Sequence, residues 1–152
     1  MKRNAAHILL YDSERRFLLQ HRTSDAKVLP NYWAFFGGGI KNNETPEDAA
    51  RRETFEELGY KIKNLEFLLE QSFKIEGMYG CRYIYTDAFY DNKSELILNE
   101  GQGWGWFNIP ETASLKMIDL DRYVIEMLNN YLDNGKKQYK KIYVNKLNVY
   151  KI

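Results

Sequence analysis

The 152-residue chain has one cysteine, Cys81, so it can close no disulfide of its own and cannot build a cysteine-rich zinc site. Cys81 itself reads as a thiol with no chemical role. An excess of charge is also lacking. Twenty-two basic residues against twenty-one acidic ones leave +1, which offers no global field for a nucleic-acid polymer or a membrane surface. Any anion must be met locally. Long apolar runs are missing as well: the stretch Ile8 to Tyr11, behind Lys2 and Arg3, stops at Asp12, too short for a signal-peptide core or a membrane span. A cytoplasmic protein is expected. No internal repeat or low-complexity linker divides the chain, and its length suits one globular domain but not two.

What is present is organised. Residues 4–11 and 17–21 are short and apolar, and the polar cluster Asp12 to Arg15 between them predicts a turn joining two adjacent strands. The aromatic run Tyr32 to Phe36 predicts a strand that ends in three glycines, Gly37 to Gly39, where the backbone turns tightly or approaches a ligand. A helix follows, with Thr45 as N-cap, Pro46 at its first position, Asp48 three residues after the cap, and Gly59 just past its end. Residues 60–75, 82–90 and 103–107 are rich in aromatic and β-branched residues and predict further strands. Leu120, Val124, Ile125, Leu128 and Leu132 mark a second amphipathic helix over 119–132. The stretch 136–152, basic and tyrosine-rich, reads as an extension to a domain of residues 1–135: an extra strand, a dimer contact or a tail.

On the first helix Glu53, Glu56 and Glu57 stand at i, i+3 and i+4, within about a third of its circumference. Phe55 and Leu58 fall on the far side, where they are expected to pack on the sheet. Like charges so spaced cost a helix roughly 0.2–0.5 kcal/mol per pair. A hard divalent cation removes the conflict, since carboxylate oxygens are the ligands magnesium prefers.

Five residues separate Gly38 from Glu44. Seven more lead to Arg52-Glu53, then Thr54, Phe55, Glu56-Glu57, Leu58 and Gly59. This pattern resembles the Nudix box, a family signature of Gly, Glu, Arg-Glu, Glu-Glu and Gly at fixed spacings. The resemblance extends to Arg22 after the second strand, to Trp33 before the glycines, and to Glu100-Gly101-Gln102 ahead of Trp104 and Trp106, and so spans about residues 4–132. Thr54, Tyr60, Phe36 and Asn43 depart from the family's usual residues, but no charged member of the box is replaced.

The resemblance implies an α/β fold, the Nudix-type α/β/α sandwich with a mixed sheet, and a MutT-like, magnesium-dependent phosphoanhydride hydrolase, manganese being the substitute. Its substrate would be a nucleoside diphosphate linked to another group: first a (deoxy)nucleoside triphosphate yielding monophosphate and pyrophosphate, second a nucleotide sugar or ADP-ribose. The metal set it implies is Glu53, Glu56 and Glu57 with Gly37 and Glu100. Catalytic duties fall to Glu53 and Glu57, to Arg52 as orienter of Glu44 or a ligand carboxylate, and to a general base among Glu100, Glu53 and Glu44. Substrate contacts are expected from Arg22, Trp33, Gly38, Gly39, Asp119 and Asp121, with Met117 nearby. His7 and His21 read as strand residues. A nucleotide-sensing module without hydrolysis is disfavoured by the intact charged set, and a prenyl-diphosphate isomerase by the isolated Cys81. The partner is a small-molecule nucleotide, with no nucleic-acid polymer and no membrane, for a monomer or homodimer.

Overall fold

A computed structural model describes residues 1–75, 77–135 and 150–151. Its strands are β1 (Ala5–Tyr11), β2 (Phe17–His21), β3 (Trp33–Ala34), β4 (Phe36–Gly39), β5 (Glu66–Ile75), β6 (Met78–Ala88), β7 (Gly103–Phe107) and β8 (Tyr150–Lys151). Its helices are α1 (Pro46–Leu58), α2 (Ile109–Thr112) and α3 (Asp119–Asp133). β1 is central. It runs parallel to β6 from Ala5↔Arg82 to Tyr11↔Ala88, while its other flank is shared. The first half faces β4 antiparallel, His7 opposite Gly37, and the last residue, Tyr11, faces Phe17 of β2. β2 also carries β3 and β7, and β6 returns antiparallel onto β5, so the sheet is mixed.

Alternation along β1 assigns the two faces of the sheet. Ala6, Ile8 and Leu10 join Ala49, Ala50 and Leu58 of α1 in one buried cluster, whereas Leu9 and Tyr11 join Val124, Ile125 and Leu128 of α3 in another. This is the expected α/β/α layering. No described helix is long and apolar enough to cross a membrane.

The first helix starts and stops where its caps dictate. Thr45 is extended and accepts from the Asp48 amide, and Gly59 adopts φ 65°, its N–H closing on the Phe55 carbonyl. Four expectations change. Phe55 is 50% exposed, and the face laid on the sheet is Ala49, Ala50, Thr54, Glu57 and Leu58, which at about 100° per residue span half of the helix circumference and leave Phe55 outside it. The aromatic strand breaks at Phe35, and the glycines are not its end but the body of β4. Strand β5 begins only at Glu66, after a loop in which the Tyr60 hydroxyl and the Lys63 amide both donate to Asp87. Strand β6 begins at Met78, four residues before the expected 82, and α3 follows Ile118, which makes no side-chain cap bond, with Asp119 in its first turn. Of the extension, Tyr150 and Lys151 pair parallel with Phe73 and Lys74; residues 136–149 and 152 lie outside the described residues.

Two glycines of β4 are needed for different reasons. At Gly37 φ is +133° and a Cβ would stand 2.2 Å from the Ala6 carbonyl oxygen, which is backbone and cannot retreat. At Gly38 a Cβ would meet only the Glu53 carboxylate, at 2.7 Å, the end of a movable side chain. Gly37→Ala is therefore expected to cost on the order of 3 kcal/mol or more of stability, and Gly38→Ala no more than about 1 kcal/mol. Urea denaturation of the two variants checks the order; equal losses would contradict it.

Candidate active site

Helix α1 and strand β4 bring the acidic residues together but treat them unequally. Glu57 is turned under the helix, 6% exposed, and its Oε2 accepts the Gly37 amide at 3.0 Å. Burial raises its pKa to about 8, with the charges of Glu100, Glu53 and Glu56 adding to the rise against that one hydrogen bond. Glu53 lies over the bare Cα of Gly38, and Glu56 projects outward, half exposed.

Arg52 holds this group in order. Its guanidinium takes both oxygens of Glu44 (2.6 and 2.9 Å), Glu53 Oε1 (2.7 Å), Glu56 Oε2 (3.2 Å) and the Gly39 carbonyl (3.1 Å). Those five contacts exhaust a fork with five N–H donors, a task an ammonium could not perform. The Arg52 hydrogen bonds, helped by the Lys41 amide, pull the Glu44 pKa down to about 2 and push that of Arg52 up. Glu44 is thus a permanently ionised anchor and poorly suited to accept a proton.

Glu53, Glu57 and Glu100 line a cavity of about 370 Å³ together with Gly37, Gly38 and Gly39. Glu100 comes from the loop before β7, which Gln102 ties to the end of β2 and the residues after it. Gln102 donates from its backbone to the His21 carbonyl (2.8 Å) and from its side chain to the Arg22 carbonyl (2.7 Å) and Asn31 Oδ1 (3.0 Å). Arg22 lines the cavity too. Its Nε donates to the Val28 carbonyl, and it has no carboxylate partner among the described residues, which leaves its charge available to an anion.

The remaining candidates fare differently. Trp33 does not line the cavity: it stacks on His21 (centroids 4.7 Å apart) and meets the edge of Phe107. Glu44, Glu56 and Asp119 do not line it either. Asp121 does, but it is 2% exposed and ion-paired with Arg82 at 2.5 Å; burial raises its pKa and the Arg82 charge opposes the rise. Three titratable cavity residues were not identified from sequence as site residues: Arg3, His7 and Arg82. The only signal for Arg82 is a charge inside the aromatic run of β6, and for His7 a polar residue inside apolar β1.

The donor chemistry fits a hard divalent cation. Glu53 Oε2 and Glu57 Oε1 take no hydrogen bond among the described residues, and the carboxylates that crowd Glu57 raise its pKa. Among those residues no three acidic, histidine or cysteine side chains already converge into a cage, since Arg52 draws Glu44, Glu53 and Glu56 toward itself.

Known proteins resemble this chain in sequence and in fold. The family model of the NUDIX domain matches residues 1–128. The chain is similar to nucleoside triphosphatase NudI of Enterobacter sp. (strain 638), 47% identical over 47 residues, covering 31% of this chain and 33% of that protein. It is also similar to the NAD-capped RNA hydrolase NudC of Chromobacterium violaceum, 32% identical over 90 residues, covering 58% and 32% respectively. The chain thus spans about a third of the length of these curated relatives. Among solved structures, the MutT protein from Methanosarcina mazei Go1 superposes with a TM-score of 0.75 at 16% identity, over 90% of this chain and 96% of that one.

The raised pKa of Glu57 fixes how metal-free stability depends on pH. A carboxylic acid whose folded pKa lies above its unfolded value stabilises fully below the unfolded pKa and loses that contribution as pH rises through the folded one. With chelator present, the melting temperature is expected to fall from pH 5 to pH 9, and Glu57→Gln to remove that part of the fall. An identical pH profile in the variant would contradict the assignment.

Proposed function

We propose, since this chain belongs to the NUDIX family, that it hydrolyses the phosphoanhydride of a nucleoside diphosphate linked to another group, with a nucleoside triphosphate first. The observation that carries this reading is the pairing of opposite charges at one cavity. Glu53, Glu57 and Glu100 stand on one side, suited to a divalent cation, and Arg22, without an acid partner, stands ready for a phosphate. A similarity to a nucleoside triphosphatase over 47 residues supports the choice of substrate.

The residues divide the work. Glu53 and Glu57 would hold the cation, magnesium first and manganese second, with Glu100 and Glu56 as further oxygen donors. When bound, that ion supplies neutralisation of the diphosphate charge that otherwise repels a nucleophile. Arg52 fixes the rotamers of Glu44, Glu53 and Glu56, and the Gly37 amide aims Glu57; the resemblance had also suggested Gly37 as a ligand, but what supports a role for it is this N–H. Gly38 and Gly39 leave space for the phosphates. Arg22 meets the phosphate oxygens. Glu100 is our choice of general base, supported by its place in the cavity wall, whereas Glu44 is bound on both oxygens by Arg52 and Glu53 on one. In the reaction a water oxygen bonds to one phosphorus, the bridging P–O bond breaks, and the proton lost by water passes to Glu100.

A second reading, hydrolysis of a dinucleotide or nucleotide-sugar diphosphate, draws support from the likeness to NudC. Product analysis separates the two: pyrophosphate in one case, a monophosphate ester in the other.

Incubation with nucleoside triphosphates and magnesium is expected to release pyrophosphate. Glu57→Gln should lower kcat/KM on the order of a thousandfold, and Arg52→Ala should weaken the apparent metal affinity about 10–100-fold. If neither triphosphates nor nucleotide sugars are turned over with either metal, the proposal fails.

A further inference from the structure

Away from the carboxylates, the cavity changes character. Its inner wall is apolar, formed by Val28, Leu29, Phe35, Ile118 and Leu120, and the one charged pair set in it, Arg82 with Asp121, is internally neutralised. His7 also lines this cavity, from an odd position of β1 on the α3 side of the sheet. The imidazole is unusual in having no work. Its Nδ1 is buried without a hydrogen-bond partner, and no described residue bonds to Nε2. A buried polar group left unmet costs more than a typical hydrogen bond returns, so such a group in a cavity wall points to a ligand that meets it.

We propose that His7 is a specificity-determining contact, reading the uncharged nucleoside half of the substrate through a neutral donor–acceptor group. This rests on the hydrolase reading of the same cavity. The chemistry follows from the charge state of the ring. Burial and the nearby Arg82 and Arg22 charges hold the imidazole neutral, with its pKa down to about 3. A neutral ring has one N–H and one lone pair. It gives a phosphate oxygen no charge, and Arg22 and Arg3, which line the same cavity, meet an anion better. With Nδ1 buried, Nε2 is the nitrogen left for a ligand, and in the neutral ring it donates or accepts one hydrogen bond, which matches the edge of a heterocyclic base or a ribose hydroxyl. The apolar surroundings favour the base.

The experiment compares the wild-type protein with His7→Val and His7→Asn on ribonucleoside triphosphates and their 2′-deoxy counterparts, reading kcat and KM separately. Valine suits a strand and removes both nitrogens; asparagine keeps an amide donor and acceptor. His7→Val is expected to raise KM about tenfold for the preferred nucleotides, with kcat changed less than twofold, so that differences between nucleotides shrink; His7→Asn should retain part of the preference. Loss of preference among bases identifies the base edge, and loss of the ribose-to-deoxyribose ratio identifies the hydroxyl. Unchanged preferences, or an equal KM rise for every nucleotide, would overturn the proposal.

A second measurement separates its failure from that of the hydrolase reading. The chain has only two histidines, so the His7 ring nitrogens can be assigned by NMR using His7→Val as the blank. A non-hydrolysable nucleotide is expected to shift them. A shift in a protein that turns over nothing would sink the hydrolase reading and keep the His7 contact, and no shift on saturation would sink the contact.

Discussion

Glu57 is a carboxylate buried beneath a helix with one backbone N–H for company, and much of the surrounding structure exists to make that tolerable. Burial of a charged group is costly unless the charge is paired or lost, and in the absence of a cation this one is largely lost, its pKa lying near 8. Three other carboxylates stand nearby and would normally repel one another as well. Arg52 prevents that by spending all five donors on Glu44, Glu53, Glu56 and the Gly39 carbonyl. Of the four acids Glu44, Glu53, Glu56 and Glu57, the one left without an arginine is therefore the most deeply buried, Glu57, and it carries the strongest unmet demand for positive charge.

This arrangement depends on how closely α1 approaches the sheet. Ala49 and Ala50 are fully buried against β1, and Gly37 and Gly38 present bare Cα atoms to Ala6 and to the Glu53 carboxylate. A larger residue at Ala49 or Ala50 would lift the helix and take Glu57 out of reach of the Gly37 amide. Thr54 fits because its hydroxyl turns back to the Ala50 carbonyl at 2.7 Å, leaving only its methyl toward the core. Local packing and site electrostatics are thus one problem here, solved by small residues beneath acidic ones.

The sequence disclosed what is local. Helix α1 could be placed from its caps, since Thr45, Pro46, Asp48 and Gly59 act on neighbours three or four residues away. Strands β1 and β2 could be placed from their short apolar runs and the intervening polar turn. What misled was assigning Phe55 to the packed face by its hydrophobicity: that face runs over Ala49, Ala50, Thr54, Glu57 and Leu58, and Phe55 falls outside it. Trp33 likewise looked like a ligand platform, but His21, its partner across the β2–β3 ladder, claims its face.

The cavity was harder to foresee because its walls come from segments far apart in the chain. Arg82 and Asp121 are separated by 38 intervening residues, and nothing within either segment announces their ion pair. His7 belongs to a strand whose other members are apolar, and the run alone reads it as one more strand residue. Only when β1 is placed between β4 and β6, with α3 across one face, does that position become an inner wall. The box that resembles the Nudix signature specifies the chemistry because its parts must sit together on one helix and one strand. Recognition of the rest of a substrate has no such local constraint, and no motif announces the contact proposed for His7.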